Sequence, residues 1–167
     1  MADKAEKYCW FMTPYLIITD EMAHALTLAA KRGVDVRIIT PGIPDKKLVY
    51  NVTRSFYHEL VKDGVRIYEW TPGFCHAKMS VADDCMATCG TINLDYRSLY
   101  HHFENGCFMA DCDAVLDIRN DLHETMKRVP RSYRKISYRT QCIPATGTAV
   151  YEIVCGIAVN KIVLTKV

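Results

Sequence analysis

HAKMSVADDCMATCGTINLD, residues 76–95, carries a histidine and a lysine two positions apart, an aspartate, and then a turn of small and amide residues. His76 and Lys78 on alternating positions of an extended strand would point to one side. A nucleophile or base would then stand beside a fixed positive charge. Asp83 follows, then Gly90-Thr91-Ile92-Asn93, whose hydroxyl and amide side chains return to the same place. A set of this kind can hold a phosphate group and attack it. An isolated HxK pair is ordinarily a strand-edge histidine next to a solvated charge. The pattern HxK-x4-D-x6-G-T-x-N demands agreement at His76, Lys78, Asp83, Gly90, Thr91 and Asn93 together, which chance seldom supplies.

The chemistry follows from the residue types. A neutral imidazole can attack phosphorus and divide one difficult displacement into two. The departing oxygen needs a proton from a second acid. Lys78 offers a point charge to the non-bridging oxygens, and Thr91 and Asn93 offer donors. The imidazole also needs a partner on its other nitrogen to fix its tautomer, and Glu104 on a neighbouring strand is the candidate.

The flanking sequence predicts alternating strands and helices. A strand is expected over 8–15, YCWFMTPY, and a helix from an Asp20 N-cap to Lys31, stopped by Gly33. Val34 to Thr40 reads as a parallel strand, Asp45 to Lys62 as one helix, and Val65 to Trp70 as a third strand. His76 to Ala82 and Met86 to Cys89 form a hairpin about Asp83-Asp84. Tyr100 to Ala110 reads as a strand with Phe103, Cys107 and Met109 inward, and Asp111 or Asp113 caps a last helix to about Arg128. This order predicts an α/β sandwich, a mixed β-sheet flanked by helices.

The chain of 167 residues, half of them apolar, can bury a sizeable core. A domain over 1–129 is expected, followed over 130–167 by a basic and then apolar tail. Lys127 to Arg139 holds six basic residues and no acidic one, a composition that suits either contact with anionic lipid or a solvated tail. A net charge of +2 gives no support to a nucleic-acid partner. Neither a secretory leader nor an apolar run long enough to span a bilayer is read in the sequence. The eight cysteines are therefore expected to be reduced. A zinc site from Cys75, His76, Cys85 and Cys89 fits no common spacing, so no metal is expected. Surface or packing roles are expected for His101 and His102, and core roles for Trp70 and Phe74.

The 76–95 pattern resembles the HKD signature of the phospholipase D superfamily. TPY at 13–15, AAKRGVDVRIITPGIPDKK at 29–47, GVRIYEWTPGFCHAK at 64–78 and GTINLDYRSLYHHFE at 90–104 resemble the C-terminal catalytic half of bacterial cardiolipin synthases. The resemblance implies a phospholipase D-like sandwich. It implies that His76 forms a phosphohistidine or acts as its acid/base counterpart, and that Lys78, Thr91 and Asn93 bind phosphate. Glu104 would orient His76, Asp83 would be chiefly structural, and no cofactor would be needed. It further implies an anionic, phosphatidylglycerol-like phospholipid substrate, contact with the membrane from its cytoplasmic side, and phosphatidyl transfer. Cardiolipin synthases carry two such motifs in one chain. One motif here implies a homodimer or association with an N-terminal HKD half. The alternatives are a single-motif phospholipase or nuclease acting as a homodimer, and an inactive half.

Overall fold

The computed structural model describes residues 1–129. The readings made for 130–167, the tail and most of its basic run, lie outside the described residues. The elements, in order, are β1 (Tyr8–Met12), β2 (Leu16–Ile17), α1 (Asp20–Lys31), β3 (Asp35–Pro41), α2 (Lys47–Ser55), α3 (Tyr57–Lys62) and β4 (Arg66–Trp70). There follow β5 (Met79–Ala82), β6 (Met86–Gly90), β7 (Leu94–Asp95), α4 (Tyr96–Tyr100), β8 (Gly106–Ala110) and α5 (Asp113–Lys127).

Six strands form one mixed sheet in the order β4-β3-β1-β5-β6-β8. The parallel half, β1, β3 and β4, comes from strand–helix–strand crossovers; in the antiparallel half β5 and β6 form a hairpin, and β8 returns to β6 after the segment that holds β7 and α4. Period-two alternation decides the faces. Along β1, Cys9 and Phe11 enter the core beneath α1 and α3, with Leu26, Ala29, Tyr57 and Leu60. Trp10 and Met12 enter the opposite core beneath α5, with Val115, Leu122 and Met126. Each such large side chain, fully buried, contributes about 1.5–3 kcal/mol. The expected α/β sandwich, a mixed sheet flanked by helices, is therefore the observed architecture.

Several local expectations are corrected. The α1 N-cap is Thr19 rather than Asp20: its Oγ1 accepts from the Met22 N–H at 3.3 Å, and Asp20 and Glu21 occupy the first turn. Gly33, at φ 93°, ends that helix. The single helix expected from Asp45 to Lys62 is two, parted at Phe56. There the Ser55 hydroxyl donates back to the Val52 carbonyl at 2.6 Å, and the Phe56 N–H reaches only to Thr53; such local bonds compete with the regular ladder. Neither Asp111 nor Asp113 caps α5. Its N-cap is Cys112, without a side-chain bond, while Asp113 lies in the first turn and Asp111 stands at φ 49°.

The largest difference concerns 96–110. Asp95 caps the short helix α4, its carboxylate accepting from the Ser98 N–H at 2.6 Å, and the strand begins only at Gly106. β8 is a sheet edge. Phe103 and Cys107 are exposed rather than inward, and only Met109 packs on the α5 core.

Candidate active site

β5 begins at Met79, so His76 and Lys78 lie in the connection before it rather than on a strand. The segment still keeps a period of two. Cys75, Ala77 and Met79 pack on the α5 core, while His76 is exposed and Lys78 half-buried. The shared side therefore survives without strand pairing. The Lys78 carbonyl accepts from the Gly90 N–H at 3.2 Å, which sets the end of β6 beside the histidine.

Lys78 Nζ lies 2.9 Å from His76 Nδ1 and donates to the His76 carbonyl at 2.7 Å. An ammonium has donors and no acceptor. Nδ1 is therefore the acceptor, and a neutral His76 ring carries its proton on Nε2. Partial burial lowers the Lys78 pKa from its ordinary value, while the charges of Glu104, Cys75 and Asp95 oppose that shift. Phe74 stacks on the imidazole at 5.8 Å between ring centres, and Tyr15 meets it edge-on at 6.4 Å. Tyr15 in turn donates to Asp45. Burial and that bond push its phenol up to about 12. Phe74, expected in the core, is half-exposed at 51% beside His76.

Glu104 was expected on the His76 ring. Its Oε2 instead accepts from the Thr91 hydroxyl, and its Oε1 lies 3.9 Å from His102 Nδ1. The Thr91 bond is the leading cause holding the Glu104 carboxyl below its usual range. The Thr91 hydroxyl also accepts from the Asn105 N–H at 2.9 Å, and the Thr91 N–H donates to the Asn105 carbonyl at 2.8 Å. Asn93 Nδ2 donates to Ser98 Oγ at 3.1 Å, while its Oδ1 is buried without a partner.

These contacts depend on two close approaches. A Cβ at Gly90 would come within 2.3 Å of the Asn105 carbonyl oxygen and 2.6 Å of Gly106 Cα, so only glycine lets β6 pass β8. Buried Thr13, at the end of β1, accepts from the Leu94 N–H at 3.1 Å and donates to the Tyr15 carbonyl at 2.8 Å. It joins the two loops that carry Tyr15 and Asn93.

Asp83 is remote from this group. Its carboxylate accepts from three successive N–H groups, Glu6 at 2.7 Å, Lys7 at 2.9 Å and Tyr8 at 2.8 Å. Asp83 and Asp84 stand at φ 54° and 58°, the left-handed pair that an I′-type hairpin turn requires.

An open pocket of about 420 Å³ is lined by His76, Lys78, Met79, Cys89, Thr91 and Asn93, together with Ala77 and Gly90. The structure thus gathers His76, Lys78, Thr91 and Asn93 at one opening, with Glu104 one bond behind Thr91, and sets Asp83 elsewhere. Sequence reasoning gives Tyr15, Cys89 and Ser98 no role at a phosphate site. Only Ser98 had a local signal, the helix-capping spacing from Asp95.

Among the described residues no helix is long and apolar enough to cross a membrane. Residues 1–126 match the family described as "Cardiolipin synthase, PLD-like domain". The chain is 54% identical over 132 residues to an uncharacterized protein of Streptococcus mutans, covering 79% of this chain and 29% of that one. It is 39% identical over 144 residues to cardiolipin synthase 2 of Bacillus anthracis, covering 83% and 28%. The chain thus spans less than a third of the length of these curated relatives. The fold is also that of a phospholipase D family member, Nuc, from Salmonella typhimurium, with TM-score 0.67, 17% identity, and coverage of 77% of this chain and 84% of that one. By its match over nearly all the described residues, the chain belongs to the phospholipase D-like family of the cardiolipin synthases, as a cardiolipin synthase-like half.

Proposed function

We propose that this chain supplies one half of a phosphatidyltransferase site of the cardiolipin synthase type, working through a phosphohistidine on His76. The observation that carries the reading is the imidazole–ammonium pair of His76 and Lys78 at the mouth of a pocket walled by Thr91 and Asn93. Membership of the cardiolipin synthase family favours a phospholipid substrate. So do two exposed apolar side chains, Phe74, which stacks on His76, and Ile92, which lies in sequence between Thr91 and Asn93.

An incoming phosphate diester draws the Lys78 ammonium onto its non-bridging oxygens, which releases Nδ1 of the ring. The ring proton then exchanges through solvent from Nε2 to Nδ1, and the freed Nε2 lone pair attacks phosphorus. The P–O bond to the first alcohol breaks, and the departing oxygen takes a proton from an acid on the far side. The hydroxyl of a second alcohol then attacks, its proton passes back to that far-side group, and the P–N bond breaks. Glu104, moved from Thr91, would serve the Nδ1 proton. Asn93 and Thr91 would stabilise the charge gathering on the oxygens. Asp83 acts at a distance, by holding the turn.

His76 stands on one side of the phosphorus and cannot also protonate the group leaving from the other. The far-side acid is therefore assigned to a second HKD copy, from a homodimer or an N-terminal half. The enzyme would act on phosphatidylglycerol-like lipid as a peripheral protein on the cytoplasmic face of the membrane.

The test is release of glycerol from phosphatidylglycerol vesicles by the assembled two-motif enzyme, compared with its His76→Ala variant. The variant is expected to keep its circular dichroism spectrum and lose at least about three orders of magnitude in turnover. Undiminished glycerol release by the variant, or metal-independent nicking of plasmid DNA in place of lipid turnover, would overturn the reading.

A further inference from the structure

Cys89 and Cys107 are direct partners across the β6–β8 pair, and both are free and exposed. The phase of the ladder is set at its two ends. The Thr91 N–H donates to the Asn105 carbonyl and the Asp111 N–H to the Cys85 carbonyl, each across a directly opposed pair. Counting in twos from either end makes Cys89–Cys107 a hydrogen-bonded station of the same kind. Opposed Cα atoms at such stations are about 5.5 Å apart, inside the roughly 4.4–6.8 Å that a disulfide spans, while their Cβ atoms, about 5.5 Å apart, must close by about 1 Å for the bond to form, which makes the resulting disulfide readily reducible. Opposed residues also share a face. Here it continues the row Met12, Met79, Cys89, Cys107, and Cys89 is itself part of the pocket wall. The buried cysteines differ. Cys9 and Cys75 lie in the two cores, where burial raises their thiol pKa values, that of Cys9 to about 12.

We propose that Cys89 and Cys107 form a reversible thiol–disulfide modification site in the wall of the candidate active site, reacting with low-molecular-weight disulfides of the glutathione type. The thiolate of one cysteine attacks a sulfur of the small disulfide. That S–S bond breaks, one thiolate leaves and takes up a proton, and a mixed disulfide remains on the protein. The second cysteine loses its proton to water and attacks the protein-bound sulfur, expelling the second small thiol. Two protein thiols are oxidised to one disulfide, and one small disulfide is reduced to two thiols. The new bond ties β6 to β8 one residue before the Gly90–Gly106 crossing. It therefore fixes the strand ends from which Thr91 and Glu104 depart.

The full chain, reduced and freed of reductant, is incubated with oxidised glutathione, alkylated, digested and mapped by mass spectrometry. The expected product is a peptide pair joined through Cys89 and Cys107, two hydrogens lighter than the reduced pair and separated again by dithiothreitol. In Cys107→Ser the glutathione is expected to remain on Cys89, and in Cys89→Ala on Cys107. A map in which both thiols are recovered alkylated, or both retain glutathione, or Cys89 is joined to another cysteine, overturns the proposal. The wild-type map requires no variant to fold. Its readout is a bond rather than turnover, so its failure would leave the phosphodiester reading standing, and failure of that reading would leave the bond.

Discussion

Asp83 illustrates how a residue can belong to a motif without reaching its chemistry. Three backbone N–H groups converge on its carboxylate. Burial opposes ionisation there, and those amide bonds together outweigh it, holding the carboxyl below its usual range. A carboxylate with a lowered folded pKa contributes stability at pH values above its ordinary pKa. That stability is lost as pH falls through the lowered folded value. Asp83→Ala is expected to lose about 1–2 kcal/mol at neutral pH, the scale of hydrogen bonds to a partly exposed charged group. Its urea midpoint should fall less steeply than that of the wild type on acidification, and parallel acid profiles for the two proteins would refute this. That His76, Lys78, Thr91 and Asn93 gather at one opening was legible in the sequence because identity and spacing are local. Their pairings were not. Glu104 reaches the Thr91 hydroxyl rather than His76 because Thr91 and Asn105 meet across the β6–β8 end, a tertiary approach that no local pattern encodes.

Among the elements, those whose periodicity and stop signals agree were readable, such as α1 with its terminal Gly33 and the alternating strand β1. The reading failed where two signals compete. Residues 100–110 look like a strand by composition, yet the Asp95 side chain caps a helix that consumes Tyr96–Tyr100. Among the described residues the strand that follows is an edge, and all of it but Met109 is exposed. His76 to Lys78 read as strand and are not, although the in–out alternation that brings the pair to one side is retained. The β6–β8 contact yields a prediction at this scale. Gly90→Ala would press a methyl group into the Asn105 carbonyl and Gly106, backbone rather than a movable side chain. An expected cost of about 1–3 kcal/mol follows from such overpacking. Chemical denaturation should show it, together with an altered Asn105 amide resonance. Wild-type stability with an unmoved Asn105 signal would refute this close approach of the two strands.

For the molecule as a whole, the sheet order carries more meaning than the element list. Its central strands bury both faces, and His76 and Lys78 stand just before one of them, β5. The family relation and the sandwich were legible from the sequence because apolar alternation and motif spacing point the same way. In the proposed scheme, a second motif copy is needed because of the stereochemistry of displacement at phosphorus. Turnover is therefore expected only in species that contain two motifs. Light scattering coupled to gel filtration, with glycerol release measured across the peak, should place activity in a dimer or a two-half complex. An active monomer would remove the second copy from the scheme.

The central position of β1 has a consequence for how the chain reaches this fold. On one side it pairs with β3, and on the other with β5. The clip from Asp83 to the Tyr8 N–H closes a separation of 75 residues. During synthesis at ordinary ribosomal rates, β1 and β3 can join early, while the other flank of β1 stays open for on the order of ten seconds until β5 emerges. For that interval the nascent chain displays an unpaired apolar strand, Tyr8–Met12, at the margin of a partial sheet. The hairpin bearing Asp83 is the piece that closes it. Interruption of translation between Trp70 and Met79 is therefore the point at which this polypeptide is most exposed to capture by chaperones or by its own kind.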